Sequence, residues 1–280
     1  MKKIGLALSG GSAFGYAHIG VLQAFEENNI PISCIAGTSA GSMVAACYAF
    51  GVPISIIKHE TKNLSWYDLS KFSYSRMGLI NSEKIGLLIE DIVGDQKIEN
   101  SKIPLAIVAT NLIDGCPVVF KNGSLTAAVR ASVSIPGIFE PYEKDGMQLI
   151  DGGMSVNLPV EYLKDLGAEF MIGVNLSRYR LNKKATNIID VMMNTLNLMI
   201  KNQTNQSAVN LDVSIDPHLE DYSSADLNKM SEIIDAGYKA AILAMPEIKN
   251  KLNLQQDNKK IISYHSNPWL KFIDWLSNED

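Results

Sequence analysis

The sequence predicts an α/β protein of three layers, α/β/α, with a mostly parallel central sheet and a mainly helical extension toward the C-terminal end. Three observations predict it. Short apolar runs that resemble buried strands alternate with stretches whose apolar residues recur at helical spacing, the pattern of parallel sheets whose crossovers are helices. Glycine clusters stand at strand-to-helix junctions, as in SGGSAFG (9–15) and GTSAG (37–41). With 280 residues, 46% of them hydrophobic, the chain can also bury a full core.

Taken in order, KKIGLAL (2–8) is a short strand, SGGSAFG a glycine loop, and YAHIGVLQAFEENN (16–29) an amphipathic helix carried by Ile19, Leu22, Ala24 and Phe25. IPISCIAG (30–37) is a second strand, and AGSMVAACYAFG (40–51) a helix that ends at the C-cap candidate Gly51. IPLAIVATNL (103–112) and GCPVVFKNG (115–123) read as strands, SLTAAVRAS (124–132) as a short helix, and MQLIDGG (147–153) as a strand entering a turn. PVEYLKDLG (159–167) is a helix and AEFMIGVNLS (168–177) a further buried strand. Beyond Ser177 the composition becomes rich in Asn and Met. A helix within 182–208, a strand at LDVSIDP (211–217) and a helix over 224–245 are expected there, followed by a polar stretch from Pro246 to Lys260. A last helix, NPWLKFIDWLSN (267–278), is expected to dock through Trp269, Phe272 and Trp275. The expected organisation is one domain, with a catalytic core over 1–177 and a mainly helical region over 178–280 packed on it.

The formal net charge of -5 argues against a nucleic-acid partner, which calls for a basic face. Cys34, Cys47 and Cys116 form no spaced framework, so a reducing compartment is the simpler expectation. The opening MKK is followed by too short an apolar run for a secretory signal. The uncharged span from Asn28 to Ile57 is interrupted by Pro31, Gly37, Gly41, Gly51 and Pro53, which is incompatible with one spanning helix. A cytoplasmic location is therefore expected.

Gly37-Thr-Ser-Ala-Gly41 has two readings. It is either a tight bend of small residues or a nucleophile elbow that presents Ser39 at a helix N-terminus, where larger neighbours would collide. The glycine loop before it suits an oxyanion, because closely spaced glycines let backbone N–H groups approach a ligand oxygen. It suits a nucleotide less well: no Gly-Lys-Ser/Thr ending is present, and Gly10-Gly11-x-x-x-Gly15 is not Gly-x-Gly-x-x-Gly. A serine needs a base. A triad of Ser39, Asp151 and His218 or His265 conflicts with the α/β-hydrolase order, in which several strands precede the elbow, since only one does here. His18 fits a packing or capping role, and no motif surrounds His59. Asp151 ends an apolar strand ahead of Gly152-Gly153, a place where a carboxylate points into the crevice of a parallel sheet; an isolated Asp-Gly-Gly is otherwise an ordinary turn.

The glycine loop, Gly-Thr-Ser-Ala-Gly and Asp-Gly-Gly, in this order, resemble the patatin-like phospholipase family, as do AHIGVL (17–22) and RASVSIPGIFEP (130–141). The strong resemblance covers about 4–176, and DVSIDP and IIDAGYKAA extend it more loosely. It implies a patatin-like fold and a serine acyl hydrolase of lipid carboxylic esters, of phospholipase A, lysophospholipase or esterase type. Ser39 is then the nucleophile and Asp151 its base in a Ser–Asp dyad. Gly10, Gly11 and Ser12 supply the oxyanion hole, and Gly37 and Gly41 shape the elbow. No metal and no organic cofactor are called for, and the implied partners are a lipid or acyl-ester substrate and, transiently, a membrane surface. Phe14 stands where the family often carries a basic residue. The alternative function is a catalytically inactive relative that binds acyl chains or a protein partner. Met192, Met193 and Met199 are read as core filler or as an adaptable acyl-binding surface, and WYDLSKFSYSRMGLINSEK (66–84) as a candidate lid.

Overall fold

The computed structural model describes residues 2–61, 80–179, 184–223 and 227–253. The expected C-terminal helix with Trp269, Phe272 and Trp275 lies outside the described residues, as do His265 and most of the candidate lid. Strand β1 (Ile4–Leu8) leads through the glycine loop into α1 (Tyr16–Glu27), and β2 (Cys34–Thr38) leads into α2 (Ala40–Ala49), followed by α3 (Ile54–Thr61) and α4 (Glu83–Val93). A hairpin of β3 (Leu105–Asn111) and β4 (Pro117–Phe120) precedes α5 (Leu125–Ser132), and a second hairpin joins β5 (Tyr142–Lys144) to β6 (Met147–Asp151). After α6 (Glu161–Asp165) come β7 (Phe170–Val174), α7 (Ile188–Ser207), β8 (Val213–Ile215) and α8 (Met230–Lys251).

These strands form one sheet in the order β5-β6-β3-β2-β1-β7-β8, with β4 also paired to β3. The run from β3 to β8 is parallel, as expected; β4, β5 and β6 are antiparallel. Alternation along the strands separates two unlike faces. Ile4, Leu6, Leu8, Ile35, Leu105, Ile107, Phe170 and Ile172 point into the large core under the main helical layer. Ala7, Cys34, Ala36 and Ala106 point the other way, against Leu158, Val160 and Leu163. The small side chains on that second face let a thin layer sit close to the sheet, whereas the bulky first face needs helices to cover it. Burial pushes the thiols of Cys34 and Cys47 up to about 11 and about 12, consistent with inert core filler.

Two local features differ from the sequence expectations, whereas the strand expected at 211–217 is found as β8, which pairs in parallel with β7 at the sheet edge. Helices α3 and α4 and strand β5 have no counterpart among the elements read from the sequence. Helix α8 also runs through Pro246 to Lys251, where a polar stretch was expected. Proline there removes the bond to the Ile242 carbonyl, yet both residues are exposed, so water can satisfy that group. The apolar face continues beyond it through Ile248 and Leu252, and this burial keeps the helix going.

Helix α8 lies along α1 at glycine-to-backbone distance. A Cβ on Gly237 would stand 2.0 Å from the Ala17 carbonyl oxygen, and one on Gly20 would stand 1.9 Å from that of Ile234. Neither obstacle is a flexible side-chain end. Gly237→Ala is therefore expected to lower stability by about 2–3 kcal/mol, the scale of overpacking; a urea midpoint equal to that of the wild type would show that the helix pair parts without cost.

Candidate active site

Residues Val108 and Ala109 of β3 each have a partner on both sides. One edge is filled by β4, through Val119 opposite Val108 and Val118 opposite Ala109. On the other edge, Thr38 of β2 pairs with Val108, and Asp151 of β6 pairs with Ala109. Because β2 runs parallel to β3 and β6 runs antiparallel to it, the two strands approach along one edge and meet at their C-terminal ends. Ser39 and Asp151, 112 positions apart in sequence, are brought together by that meeting: Ser39 Oγ donates to Asp151 Oδ2 at 2.5 Å.

The elbow at Ser39 follows from its neighbours. Ser39 has φ 52° and ψ -125°, a left-handed conformation that costs a non-glycine residue about 1–3 kcal/mol. Gly37 and Gly41 make the turn possible, since a Cβ on Gly37 would stand 2.5 Å from the Gly41 carbonyl oxygen and one on Gly41 2.3 Å from that of Leu8. Hydrogen bonds hold the strained residue on both sides. Its N–H donates to Ser132 Oγ at 2.8 Å, and Ser132 Oγ in turn donates to the Val108 carbonyl at 2.6 Å. Its carbonyl accepts from the N–H of Ser42 at 2.8 Å and from Ser42 Oγ at 2.6 Å, opening α2. Neighbouring Thr38 is fixed by its hydroxyl, which donates to the Val156 carbonyl at 2.9 Å.

Asp151 is 4% exposed. Burial moves its carboxyl up to about 6, against the pull of hydrogen bonds from Ser39 and from the Gly153 N–H, which reaches Oδ1 at 2.7 Å. Its main chain is equally constrained, the N–H donating to the Ser134 carbonyl at 2.9 Å and the carbonyl accepting from Thr110 Oγ1 at 3.0 Å.

The glycine loop lies over Ser39. Gly10 N–H, one of the expected oxyanion donors, donates to the Asn157 carbonyl at 3.2 Å. No hydrogen-bond acceptor for the N–H groups of Gly11 and Ser12 is found among the described residues. His18 supports the start of the loop: its Nε2–H donates to the Ser9 carbonyl at 2.8 Å, and burial lowers the imidazole to about 4, leaving it neutral. His218 is exposed, paired with Glu220 and stacked on Tyr179. Phe14 is a buried core residue.

Two cavities meet at Ser39. One, of about 110 Å³, is almost wholly apolar and is walled by Tyr16, Ile19, Met43, Val44, Ile85 and Phe139. The other, of about 150 Å³, holds Asp151, Asn157 and the loop residues Gly10 to Ser12, and is walled by Met193, Leu196 and Ile200 of α7. Sequence reasoning missed the supporting residues Ser132, Ser134 and Asn157. The first two lie within RASVSIPGIFEP, and Asn157 lies six residues past Asp151 and acts at the loop through its main chain. The three methionines divide: Met193 lines the second cavity, while Met192 and Met199 are exposed, so neither of those two is core.

Fold and site together define an α/β protein in which a serine on a strand-to-helix turn is hydrogen-bonded to a buried carboxylate. The chain belongs to the patatin-like phospholipase family, whose model matches residues 6–164. It is 40% identical over 178 residues to the Uncharacterized NTE family protein of Mycobacterium tuberculosis, a match spanning 62% of this chain and 49% of that protein. It is 33% identical over 183 residues to the Neuropathy target esterase sws of Drosophila melanogaster and 36% identical over 181 residues to Lysophospholipase NTE1 of Candida glabrata. Those matches cover 62% of this chain but only 13% and 10% of the two relatives, so the chain spans half or less of the length of the curated relatives it matches. Among solved structures, VipD from Legionella pneumophila shares the fold, with a TM-score of 0.63 at 15% identity over 88% of this chain and 67% of that one.

Two predictions arise from this geometry. Ser132→Ala leaves the Ser39 N–H and the Val108 carbonyl without their buried partner, and is expected to cost about 1–3 kcal/mol in chemical unfolding. Asp151 has a folded-state value of about 6, above the roughly 3.9 of an unfolded chain. Its contribution to stability is therefore fully present below pH ~4 and is lost as pH rises through about 6, where the native state has to ionise a buried acid. Asp151→Asn should unfold at higher denaturant than the wild type at pH 8, by up to about 3 kcal/mol, with the advantage vanishing near pH 4; an advantage independent of pH would contradict the assignment.

Proposed function

We propose that the protein is a serine acyl hydrolase acting on carboxylic esters of lipids through a Ser39–Asp151 dyad. The observation that carries this reading is the 2.5 Å hydrogen bond from Ser39 Oγ to a desolvated carboxylate, at the junction of an apolar cavity and a more polar one. A carboxylate ordinarily too acidic to serve a hydroxyl is moved by burial to about 6, closer to the operating range of a general base.

In the proposed reaction, Asp151 takes the Ser39 proton as Oγ attacks the ester carbonyl carbon. The resulting oxyanion lies against the N–H groups of Gly11 and Ser12, with Gly10 holding the loop in place through Asn157. Collapse breaks the ester C–O bond; the alcohol departs with the proton from Asp151, and the acyl group stays on Ser39. Water then gives its proton to Asp151 and attacks the acyl-enzyme, and Ser39 recovers a proton as the fatty acid leaves. The apolar cavity suits the acyl chain and the second cavity the alcohol portion. Phe14, directed into the core, offers no charge to an anionic head group. The relatives' names, an esterase and a lysophospholipase, support the same substrate class.

Ser39→Ala and Asp151→Asn are each expected to lower hydrolysis of p-nitrophenyl and lysophospholipid esters by about 10,000-fold or more, while His218→Gln leaves it within severalfold. A fluorophosphonate probe should label wild-type Ser39. For the wild type, kcat/KM should climb with pH and level off above a midpoint near 6, as Asp151 ionises in the free enzyme. Folded protein that neither reacts with the probe nor turns over any ester of the panel would favour the inactive acyl-binding relative.

A further inference from the structure

We propose that the outer face of α7 is the surface on which the protein lies against a phospholipid bilayer. The inference rests on the lipid-ester reading and adds to it where the substrate is collected.

Ile188, Met192, Leu198 and Met199 are 70%, 55%, 55% and 62% exposed, and Val191 is 49% exposed. Their spacing places all five on one side of the helix. Thr195 falls within the same stripe and turns its hydroxyl back onto the Val191 carbonyl at 2.8 Å. No charged residue interrupts the stripe: Asp190, the acid nearby, is engaged by Thr186 and Asn187. An apolar face of this size left in water marks an interaction site.

The position of the stripe identifies its occupant. The neighbouring face of α7 carries Met193, Leu196 and Ile200, which wall the cavity containing Ser39 and Asp151. One helix thus joins an oily outer surface to the reacting atoms, and a lipid sliding from a bilayer along it reaches Ser39 with its chain shielded from water. Charge agrees with this. Arg178, in a loose 3.6 Å pair with Asp216, and Lys184 stand before the helix. These two cations, in a chain of net charge -5, suit lipid phosphates. Among the described residues no helix is long and apolar enough to cross a membrane, so α7 lies in the interface plane.

The test uses the full chain, the double variant Ile188→Glu/Leu198→Glu, and vesicles of phosphatidylcholine with a minority of phosphatidylglycerol. Thermal unfolding and hydrolysis of soluble p-nitrophenyl butyrate serve as controls, both expected to match the wild type to within roughly twofold in rate and a few degrees in midpoint, as for exposed sites. The wild type should float with the vesicles, and the variant should partition about tenfold or more weaker and lose vesicle-lipid hydrolysis in proportion. Equal flotation of both proteins overturns the proposal. So does a wild type that stays off vesicles and sediments as a dimer while the variant is monomeric, which assigns the stripe to a second copy of the chain. A wild type that floats and a variant that does not, with no ester hydrolysed by either, supports the docking surface and overturns the hydrolase reading instead.

Discussion

The site depends on two strands that run toward each other along one edge of β3. Strand β2 arrives from the parallel half of the sheet and β6 from the antiparallel hairpin, and their last residues pair with adjacent positions, Val108 and Ala109. A sheet of parallel βα units alone presents its functional side chains from strands all pointing one way, spread along the crevice at their carboxyl ends. Here an antiparallel insertion delivers a carboxylate from the opposite direction, so that a single hydrogen bond bridges the junction. The same register places Asp151 beside main chain on both sides. Its burial, and with it its raised affinity for a proton, is a consequence of strand pairing rather than of any special neighbour.

The arrangement is costly locally, and the surrounding hydrogen bonds show how it persists. Ser39 is held in a left-handed conformation, and Asp151 ionises where water cannot reach it freely. Against both stands a set of small hydroxyl residues, Thr38, Thr110, Ser132 and Ser134, whose side chains donate to main-chain carbonyls. Ser132 and Thr110 satisfy the carbonyls of Val108 and Asp151 at the head-on junction, while Thr38 bonds the Val156 carbonyl beyond it and Ser134 the Arg130 carbonyl in the last turn of α5. Small hydroxyls do this where larger polar side chains would not fit between an elbow and a strand end.

Much of this was legible in sequence. Buried parallel strands are continuous apolar runs, so β1, β2, β3 and β7 were read where they occur. The glycines of the loop and elbow announced tight turns. The pairing of Ser39 with Asp151, however, came from resemblance to a family, because nothing local relates residues 112 positions apart. Other features had signals that went unread: Asp145-Gly146, both at positive φ, is a hairpin dipeptide and explains β5. Helix α4 has a clear apolar face in Ile85 and Ile89, but its first residues fell within the stretch taken as a lid. Pro246 misled for a different reason, since a proline stops a helix only where the lost bond matters more than the burial beyond it. Asn157 gave no signal, because its contact with the glycine loop is made by a carbonyl, which every residue has.

Asn157 nonetheless joins the two halves of the site. Its main-chain oxygen fixes Gly10, its main-chain N–H donates to Gln203 Oε1 at 3.1 Å, and its side-chain amide donates to Thr204 Oγ1 at 2.8 Å. Gln203 also donates to the Ser155 carbonyl. Helix α7 is therefore fastened near its C-terminal end to the residue that shapes the glycine loop, while its earlier turns wall the cavity through Met193 and Leu196. The cavity wall and the glycine loop beside Ser39 are thus tied together by hydrogen bonds, and a buried asparagine with only 2% exposure is the joint between them.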